Sequence, residues 1–285
     1  MKLIACIVAT ILALIISIKS EEHIYLDDEH QFEYVLPTDN DIAAENEPNY
    51  RSKKEDLKPL PFVVSIQVFE SSLKLYKHLC GGCILNERFV LTAAHCVDKP
   101  KRIPAKDLSI VAGSNELFNK DAKRFQVKVV KAHAQFKPLK GHDIVLLQVA
   151  TPIPIDGIVF NTISYNSSWV EGDLSAVLLG WGRTKPGKHK QLESIPFRTT
   201  SNEVCFRNHR FKYLTTSEVC AVHTDGPRGA CDGDSGSPLV DTEHQLLFGL
   251  LSYGRKPCQA QKIYAYTRVS VYSDWIAEQM KVLGN

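Results

Sequence analysis

Short runs of apolar and β-branched residues, broken by turn-forming residues, make up most of the chain after Pro61. Val, Ile, Phe and Tyr in runs of this length, bounded by Gly, Pro, Asn and Asp, are typical of strands. Many short strands in series indicate a β-sandwich or a β-barrel, so the pattern predicts an all-β protein. The clearest runs are FVVSIQVF, RFVLTAAH, FQVKVVKAH, DIVLLQV, SAVLLGWG and LLFGLLSYG.

One segment near the C terminus, SVYSDWIAEQMKVL, has the helical period instead. Its apolar residues Val271, Trp275, Ile276 and Val282 are able to share one face of an amphipathic helix. The segment therefore predicts a C-terminal α-helix over about residues 270–283.

The first twenty residues carry one lysine ahead of an unbroken apolar run and then become polar. This layout is typical of a secretory signal peptide, so we predict a signal peptide over residues 1–20 and a secreted, extracellular protein. A signal anchor is the alternative, but the run is short for a membrane span. No later stretch is long and apolar enough to cross a bilayer, so no membrane partner is expected.

Residues 21–48 are acidic, contain no lysine or arginine, and show neither the helical nor the strand period. We predict a flexible leader or propeptide over residues 21–56, followed by one domain over residues 57–285. The basic cluster at 51–58 offers cleavage points at Arg51 and at the lysine pair that follows it. A solvated junction is the alternative interpretation of this cluster.

The net charge of the chain is +2, and 44% of its residues are hydrophobic. This balance gives no reason to expect nucleic acid as a partner. The chain has eight cysteines, and seven remain once Cys6 leaves with the signal peptide, so one must be unpaired or bonded to another molecule. No Cys-x-x-Cys pair is matched by a second such pair, so we predict no metal site.

Three segments supply residue types that serine catalysis requires, namely a nucleophile, a base and a group that orients the base. His95 follows a strand-like run, and Asp143 begins one; alone, each is equally consistent with a surface histidine or a turn cap. The segment GDSGSP, residues 233–238, indicates serine catalysis more specifically than either of these residues does, and it is more than a plain turn would require. Gly233 and Gly236 allow close backbone approach, and the amides of Gly233 and Ser235 can point at a developing oxyanion.

These segments, in the order His, Asp, Ser, resemble the chymotrypsin family of serine peptidases. The resemblance implies two packed antiparallel six-stranded β-barrels with a C-terminal α-helix. The first barrel, about residues 60–150, would carry His95 and Asp143, and the second, about residues 170–265, would carry Ser235. The matching motifs are CGG at 80–82, TAAHC at 92–96, DIVLL at 143–147, GWG at 180–182, GDSG at 233–236, YTRV at 266–269 and DWI at 274–276.

The resemblance also implies a role for each residue of the site. Ser235 would attack the substrate carbonyl, His95 would accept and return the proton, and Asp143 would orient the imidazole. The amides of Gly233 and Ser235 would form the oxyanion hole. We therefore expect a serine endopeptidase made as a zymogen, with a protein or peptide substrate, no cofactor and a monomeric state; a protease inhibitor is a further partner.

The family pattern assigns six of the cysteines to disulfides: Cys80 with Cys96, Cys205 with Cys220, and Cys231 with Cys258. Cys83 is left over. It is either a buried free thiol or an intermolecular bridge, and the bridge would suit a cross-linked structural protein.

The specificity pocket departs from the trypsin-like pattern. Gly229 stands where trypsin-like members carry aspartate, so trypsin-like specificity is not expected. Ser252 and Gly254 should pair with the substrate backbone as an added strand. Tyr264 replaces a glycine at the pocket wall, which indicates a preference for small apolar side chains or partial occlusion. The alternative is that the ring points elsewhere.

Two further observations bear on function. Active members of the family expose a new N-terminus, usually IVGG, whose amine binds the aspartate before the nucleophile, here Asp234, and that motif is missing. A secreted binding or regulatory module that keeps the fold without turnover is therefore the alternative to an enzyme of chymotrypsin-like or elastase-like preference.

In addition, the NSS sequence makes Asn166 a candidate N-glycan acceptor.

Overall fold

Twelve β-strands form in the described part of the chain, and they close into two antiparallel barrels of six strands each. The computed structural model describes residues 60–98, 102–182, 191–207, 214–224, 229–254 and 263–284. The predicted fold class, two antiparallel six-stranded barrels with a C-terminal α-helix, is confirmed. The predicted signal peptide and leader lie outside the described residues.

The first barrel has the strand order β1-β2-β3-β6-β5-β4. Its strands are rich in Val, Ile and Leu, which fit a pleated surface with one face buried. Their bounds are β1 Val63–Glu70, β2 Leu75–Ile84, β3 Phe89–Thr92, β4 Leu108–Ala112, β5 Lys123–Ala132 and β6 Val145–Val149.

The second barrel has the strand order β10-β11-β12-β9-β8-β7. Strand β8 alternates buried and half-buried residues, whereas β11 is buried along its whole length. The bounds of these strands are β7 Ser175–Gly180, β8 Glu193–Thr200, β9 Glu218–His223, β10 Pro238–Asp241, β11 Leu247–Tyr253 and β12 Ile263–Arg268.

Each barrel has an apolar interior, and a third apolar cluster lies between the barrels. Residues from both barrels meet in this third cluster, including Leu91 and Leu146 from the first and Leu179 and Leu250 from the second. Because apolar burial is the main favourable term in folding, this cluster holds the two barrels together. Residues that stand at the edge of this cluster are therefore fixed relative to one another.

Two α-helices are present in the described residues: α1 (Asn202–Arg207) and α2 (Ser273–Gly284). Helix α2 packs against the first barrel, where the side-chain amide of Gln148 in β6 donates a hydrogen bond to the carbonyl oxygen of Leu283 at 2.8 Å. No helix in the described residues has both the length and the hydropathy that a membrane span requires.

The predicted apolar face of α2 is partly wrong. Ile276 is fully buried, but Val271 and Val282 are 44% and 61% exposed. Val271 belongs to a 3₁₀ turn, Val269–Tyr272, that precedes the helix, so it does not follow the α-helical phase. The buried face runs instead from Ile276 through Met280 to Leu283, at the i, i+4, i+7 spacing.

Candidate active site

His95 and Asp143 are brought together by the pairing of two strands in the first barrel. His95 lies in a 3₁₀ turn just after β3, and Asp143 lies just before β6. Strands β3 and β6 pair in antiparallel register, with Thr92 opposite Val145. The end of one strand therefore lies beside the start of the other.

The carboxylate of Asp143 orients His95 by two hydrogen bonds. Its Oδ2 lies 2.6 Å from Nδ1 of His95, and its Oδ1 accepts from the backbone N–H of His95 at 2.8 Å. Since a carboxylate only accepts, Nδ1 carries the proton, which leaves Nε2 as the basic nitrogen. His95 and Asp143 are 0% and 3% exposed, so the carboxylate charge acts on the imidazole with little screening by solvent.

The second barrel also holds Asp143. The hydroxyl of Ser252, in β11, donates to Oδ2 of Asp143 at 2.5 Å, and the hydroxyl of Thr267, in β12, donates to its backbone oxygen at 2.7 Å. The predicted substrate-binding residue Ser252 is thus also a structural partner of Asp143. These bonds hold the carboxylate and the backbone oxygen of Asp143 across the interface between the barrels.

Ser235 lies in a turn that Gly233 and Gly236 make possible. Both glycines have positive φ angles, +93° and +70°, a region that side chains with a β-carbon rarely adopt. A β-carbon on Gly236 would also overlap the Thr92 hydroxyl and lie 2.8 Å from the carbonyl oxygen of Gly81. The backbone N–H of Gly81 donates to the carbonyl oxygen of Ser235 at 2.9 Å, which ties this turn to the first barrel.

The sequence analysis did not identify His78, which supports the same turn. Its Nε2 donates to the carbonyl oxygen of Gly233 at 2.9 Å, and its Nδ1 lies 2.8 Å from the hydroxyl of Ser65. Nε2 must donate because a carbonyl oxygen only accepts, so Nδ1 accepts from Ser65. His78 therefore fixes the peptide unit next to the proposed oxyanion hole.

Asp234, the residue before Ser235, is fully buried and is held by two backbone amides. Its Oδ1 accepts from the N–H of Gly182 at 2.6 Å, and its Oδ2 accepts from the N–H of Cys231 at 2.9 Å. A carboxylate fixed in this way anchors the backbone on the N-terminal side of Ser235.

Replacement of Gly182 by alanine is expected to displace this carboxylate. The added β-carbon would overlap Oδ2 of Asp234 and lie 2.6 Å from its Oδ1. Because misplaced oxyanion donors cost about 10²-fold or more in kcat, we expect a loss of that order in kcat/KM for peptide cleavage. Gly284→Ala is the control, since its β-carbon would meet nothing within 4 Å. A wild-type kcat/KM in Gly182→Ala would contradict the role assigned to the Asp234 carboxylate.

The structure brings Gly229, Gly254 and Tyr264 together, and the tyrosine ring fills the space between the two glycines. A β-carbon on Gly229 would overlap the Tyr264 hydroxyl and lie 2.8 Å from a ring carbon. A β-carbon on Gly254 would lie 2.5 Å from another ring carbon. Tyr264 is 0% exposed and packs edge-on against Phe197 at 5.5 Å between ring centroids. The ring therefore does not point away from the predicted pocket.

Two of the implied disulfides, Cys80–Cys96 and Cys205–Cys220, are present. Cys231 is also disulfide-bonded, and its implied partner, Cys258, lies outside the described residues. The Cys80–Cys96 bridge closes the loop that carries His95. Although His95 nitrogen and both of these sulfurs lie within 4.8 Å of one another, sulfurs bonded to each other offer no thiolate to a metal ion.

Cys83 is a free thiol with 0% exposure. Burial raises its pKa far above the usual value for a thiol, so the sulfur stays protonated. A buried, protonated thiol is not placed to form a bridge to another chain, which favours the interpretation of Cys83 as a small apolar residue.

Asn166 lies on an exposed segment, and its side-chain oxygen accepts a hydrogen bond from the N–H of Ser168 at 2.9 Å. Its exposure leaves room for a glycan, and N-glycosylation at this position stays a prediction.

Comparisons with known proteins agree on one class of protein. The Trypsin family model matches residues 50–276. The chain is 31% identical to coagulation factor XI of Bos taurus over 221 residues, which is 71% of this chain and 33% of that protein. It is 30% identical to trypsin eta of Drosophila melanogaster over 222 residues, 76% of this chain and 83% of that protein.

Among solved structures, neuropsin, a serine protease expressed in mouse brain, superposes with a TM-score of 0.65 at 25% sequence identity. The superposition covers 77% of this chain and 94% of neuropsin. The two described barrels therefore have the same fold as a solved serine protease.

Proposed function

Because this chain belongs to the trypsin family of serine peptidases, we propose that it is a secreted serine endopeptidase that hydrolyses peptide bonds through His95, Asp143 and Ser235. The observation that supports this most is the pair of hydrogen bonds that the Asp143 carboxylate accepts from the backbone N–H and the Nδ1–H of His95, in a buried site that both barrels complete.

The proposed reaction proceeds through an acyl-enzyme. Ser235 Oγ attacks the carbonyl carbon while Nε2 of His95 takes the hydroxyl proton, and Asp143 stabilises the resulting imidazolium. The amides of Gly233 and Ser235 bind the oxyanion of the tetrahedral intermediate. His95 then gives the proton to the leaving amine, and water attacks the acyl group by the same sequence of steps.

The filled pocket supports an elastase-like preference within this function. The Tyr264 ring lies against both Gly229 and Gly254, which favours a small apolar side chain at the position before the scissile bond. Gly229 carries no carboxylate, so there is no charge to bind lysine or arginine at that position. Ser252 and Gly254 are proposed to pair with the substrate backbone as an added strand.

A secreted binding or regulatory module that does not cleave is the second candidate function. The observation in its favour is the same buried Tyr264 ring, since a pocket filled by the chain itself disfavours most substrates. Appreciable cleavage of a peptide library would exclude this candidate.

Secretion, synthesis as a zymogen and a monomeric state complete the proposal. Disulfide bonds support export, because they persist in oxidising compartments. The proposed partners are a protein or peptide substrate and a protease inhibitor, and no cofactor is required.

The direct test is labelling of the purified secreted protein with a fluorophosphonate probe, combined with N-terminal sequencing. We expect label on the peptide that contains Ser235 and a new N-terminus between about residues 49 and 57, the region before the first barrel. An unlabelled Ser235 after every trial activation would reject the peptidase and favour the binding module.

A further inference from the structure

The charge of the chain is divided unevenly along its length. Residues 21–48 contain ten acidic residues and no lysine or arginine, so this acidic segment has a net charge of −10. The two lysines of residues 1–20 add +2, and the whole chain has a net charge of +2, which leaves +10 for residues 49–285. Segments of one charge sign often serve as interaction tails, so the barrels are expected to carry a basic surface that receives this one.

Strand β5 and the loops beside it form a basic surface on the first barrel. Because the barrel interior is apolar, the exposed side chains of β5 point outward. The loop before β4 is joined to the strand: the Gln126 side-chain amide donates to the backbone oxygen of Lys106 at 3.2 Å, and the Arg102 guanidinium donates to that of Val130 at 3.1 Å. We call this the β5 surface; its exposed basic residues are Arg102, Lys106, Lys120, Lys123, Lys128 and Lys131.

The lysines of the β5 surface have no ion-pair partner among the described residues. Arg124, in the same strand, differs, because its guanidinium lies 3.7 Å from the centroid of the Tyr76 ring and donates to Oε1 of Gln67 at 2.8 Å. Residues 102–131 contain seven basic and three acidic residues. Like charges at this density repel one another, so an anionic partner stabilises the surface.

Exposed apolar side chains lie in the loop that follows β6. Ile158 and Val159 are 77% and 44% exposed. Oδ1 of Asp156 accepts from the backbone N–H groups of both residues at 2.8 Å. The loop therefore presents two apolar side chains to solvent from a hydrogen-bonded turn.

This loop packs against β5 and the end of β4. The ring of Phe160 lies edge-on against that of Phe125, in β5, at 5.9 Å between centroids. A β-carbon on Gly113 would lie 3.1 Å from Cγ1 of Val159, and Gly113 directly follows β4, whose last residue pairs with Lys123. The exposed apolar residues are thus held next to the basic residues at the start of β5.

The chain enters the first barrel beside the same surface. The backbone N–H of Leu60 donates to Oδ1 of Asn115, in the loop between β4 and β5, at 3.2 Å. The N–H of Asn161, just after the apolar loop, donates to the backbone oxygen of Pro61 at 3.1 Å. The twelve residues from Pro48 to Leu60 span at most about 40 Å, and β5 is about 33 Å long. The acidic segment can therefore reach the whole β5 surface.

The composition of the acidic segment matches that of the surface. Its acids stand directly beside apolar and aromatic residues, as IYLDDE at 24–29 and FEYVL at 32–36. Because the segment is tethered, its effective concentration at the surface is on the order of mM, a level that a separate polyanion would have to reach in solution. The connection therefore favours the chain's own segment as the partner.

We propose that the acidic segment binds the β5 surface of the same chain through residues 24–36, with its acids on Lys123 and Lys128 and its apolar residues against Ile158 and Val159. The contact is independent of the proposed peptidase function. Exposed charges are screened by salt, so the contact weakens as the ionic strength rises. Residues 21–59 contain no cysteine, so cleavage between residues 49 and 57 would leave the segment without a covalent tether and it would dissociate.

The first test is carbodiimide cross-linking of the secreted protein, which joins a carboxylate to a lysine that it contacts. The Ser235→Ala background is used, so that peptidase activity cannot remove the segment. We expect cross-links from residues 24–36 to Lys123 and Lys128 in the monomer band, and few to Lys140 and Lys281, which are exposed elsewhere. In 1 M salt, where the screening length is about 3 Å, the cross-links to β5 should fall to background.

Two outcomes of this test would overturn the proposal. Cross-links spread equally over all four lysines would show that the segment has no preferred surface. Cross-links found only between two chains would show that the surface binds a second copy instead.

The second test compares rates of lysine acetylation in two variants that leave every described residue unchanged. The first variant neutralises the acids beside IYL: Asp27→Asn, Asp28→Asn and Glu29→Gln. The matched control neutralises three acids in the other half of the segment: Asp39→Asn, Asp41→Asn and Glu45→Gln.

A segment present at a few mM that binds with a Kd of about 1 mM covers the surface most of the time, so the first variant should raise the acetylation rates of Lys123 and Lys128 about threefold relative to Lys281. The control variant should change them little. Equal effects of the two variants would contradict binding through residues 24–36. If neither variant changes the rates but a soluble sulfated polysaccharide lowers them, the surface binds a separate polyanion and the proposal is wrong.

Discussion

Replacement of Ser235 by alanine is expected to lower kcat for peptide hydrolysis by about 10⁵-fold or more, because no other group in the proposed site can form the acyl-enzyme. The buried pair of His95 and Asp143 would remain, but the base would have no hydroxyl to activate. The measurement is kcat and KM with a fluorogenic peptide that carries alanine before the scissile bond, together with fluorophosphonate labelling.

Ser237→Ala is the matched control for this prediction. Ser237 is also fully buried, two residues further along, and its hydroxyl has no hydrogen-bond partner in the described structure. Its loss should leave kcat near that of the native protein. If Ser235→Ala retained more than a few per cent of the native kcat, the nucleophile would have been assigned wrongly.

Replacement of Tyr264 by glycine is expected to open the filled pocket and change the preferred substrate. The ring lies against Gly229 and Gly254, so its removal creates an apolar slot of aromatic size. We expect the ratio of kcat/KM for phenylalanine to that for alanine, at the position before the scissile bond, to rise by about 100-fold, as a few kcal/mol of new apolar contact would give. A peptide library with this position varied measures the ratio.

Tyr266→Phe is the control for this variant, because Tyr266 is equally buried in the same strand but is not among the nearest neighbours of either pocket glycine. Loss of a buried aromatic ring costs about 3–5 kcal/mol of unfolding free energy, so thermal unfolding must show that Tyr264→Gly is folded at the assay temperature. A folded variant with the native preference would show that Tyr264 does not set specificity.

The sequence predicted those features that local pattern determines. Runs such as FVVSIQVF are rich in β-branched and aromatic residues, which favour strands, and the fold class was confirmed. Gly233 and Gly236 were identified because glycine allows close backbone approach, and in the structure both also have positive φ angles.

Features that depend on neighbours distant in sequence were not predicted. His78 and Gly233 are 155 residues apart, and no local pattern indicates that one binds the other. Glu218 stands two residues before Cys220 at the start of β9, and no local pattern indicates that the folded barrel buries it.

The position of Tyr264 was predicted only in part from the sequence. The sequence identified a bulky residue in place of glycine but left open whether its ring enters the pocket. The distances from Gly229 and Gly254 decide the question, because χ angles follow from packing in the folded state rather than from sequence.

The hydrogen bond between Gln148 and Leu283 joins residues 135 positions apart, and it places helix α2 on the barrel that is synthesised first. Chains are made from the N-terminus and their domains begin to fold in that order. A nascent chain that ends before Tyr272 lacks the hydroxyl beside His142, and one that ends before Leu283 lacks the cover on β6. The surroundings of Asp143 are therefore completed only after all twelve described strands have been synthesised, and a translation product truncated before Tyr272 lacks this contact beside His142.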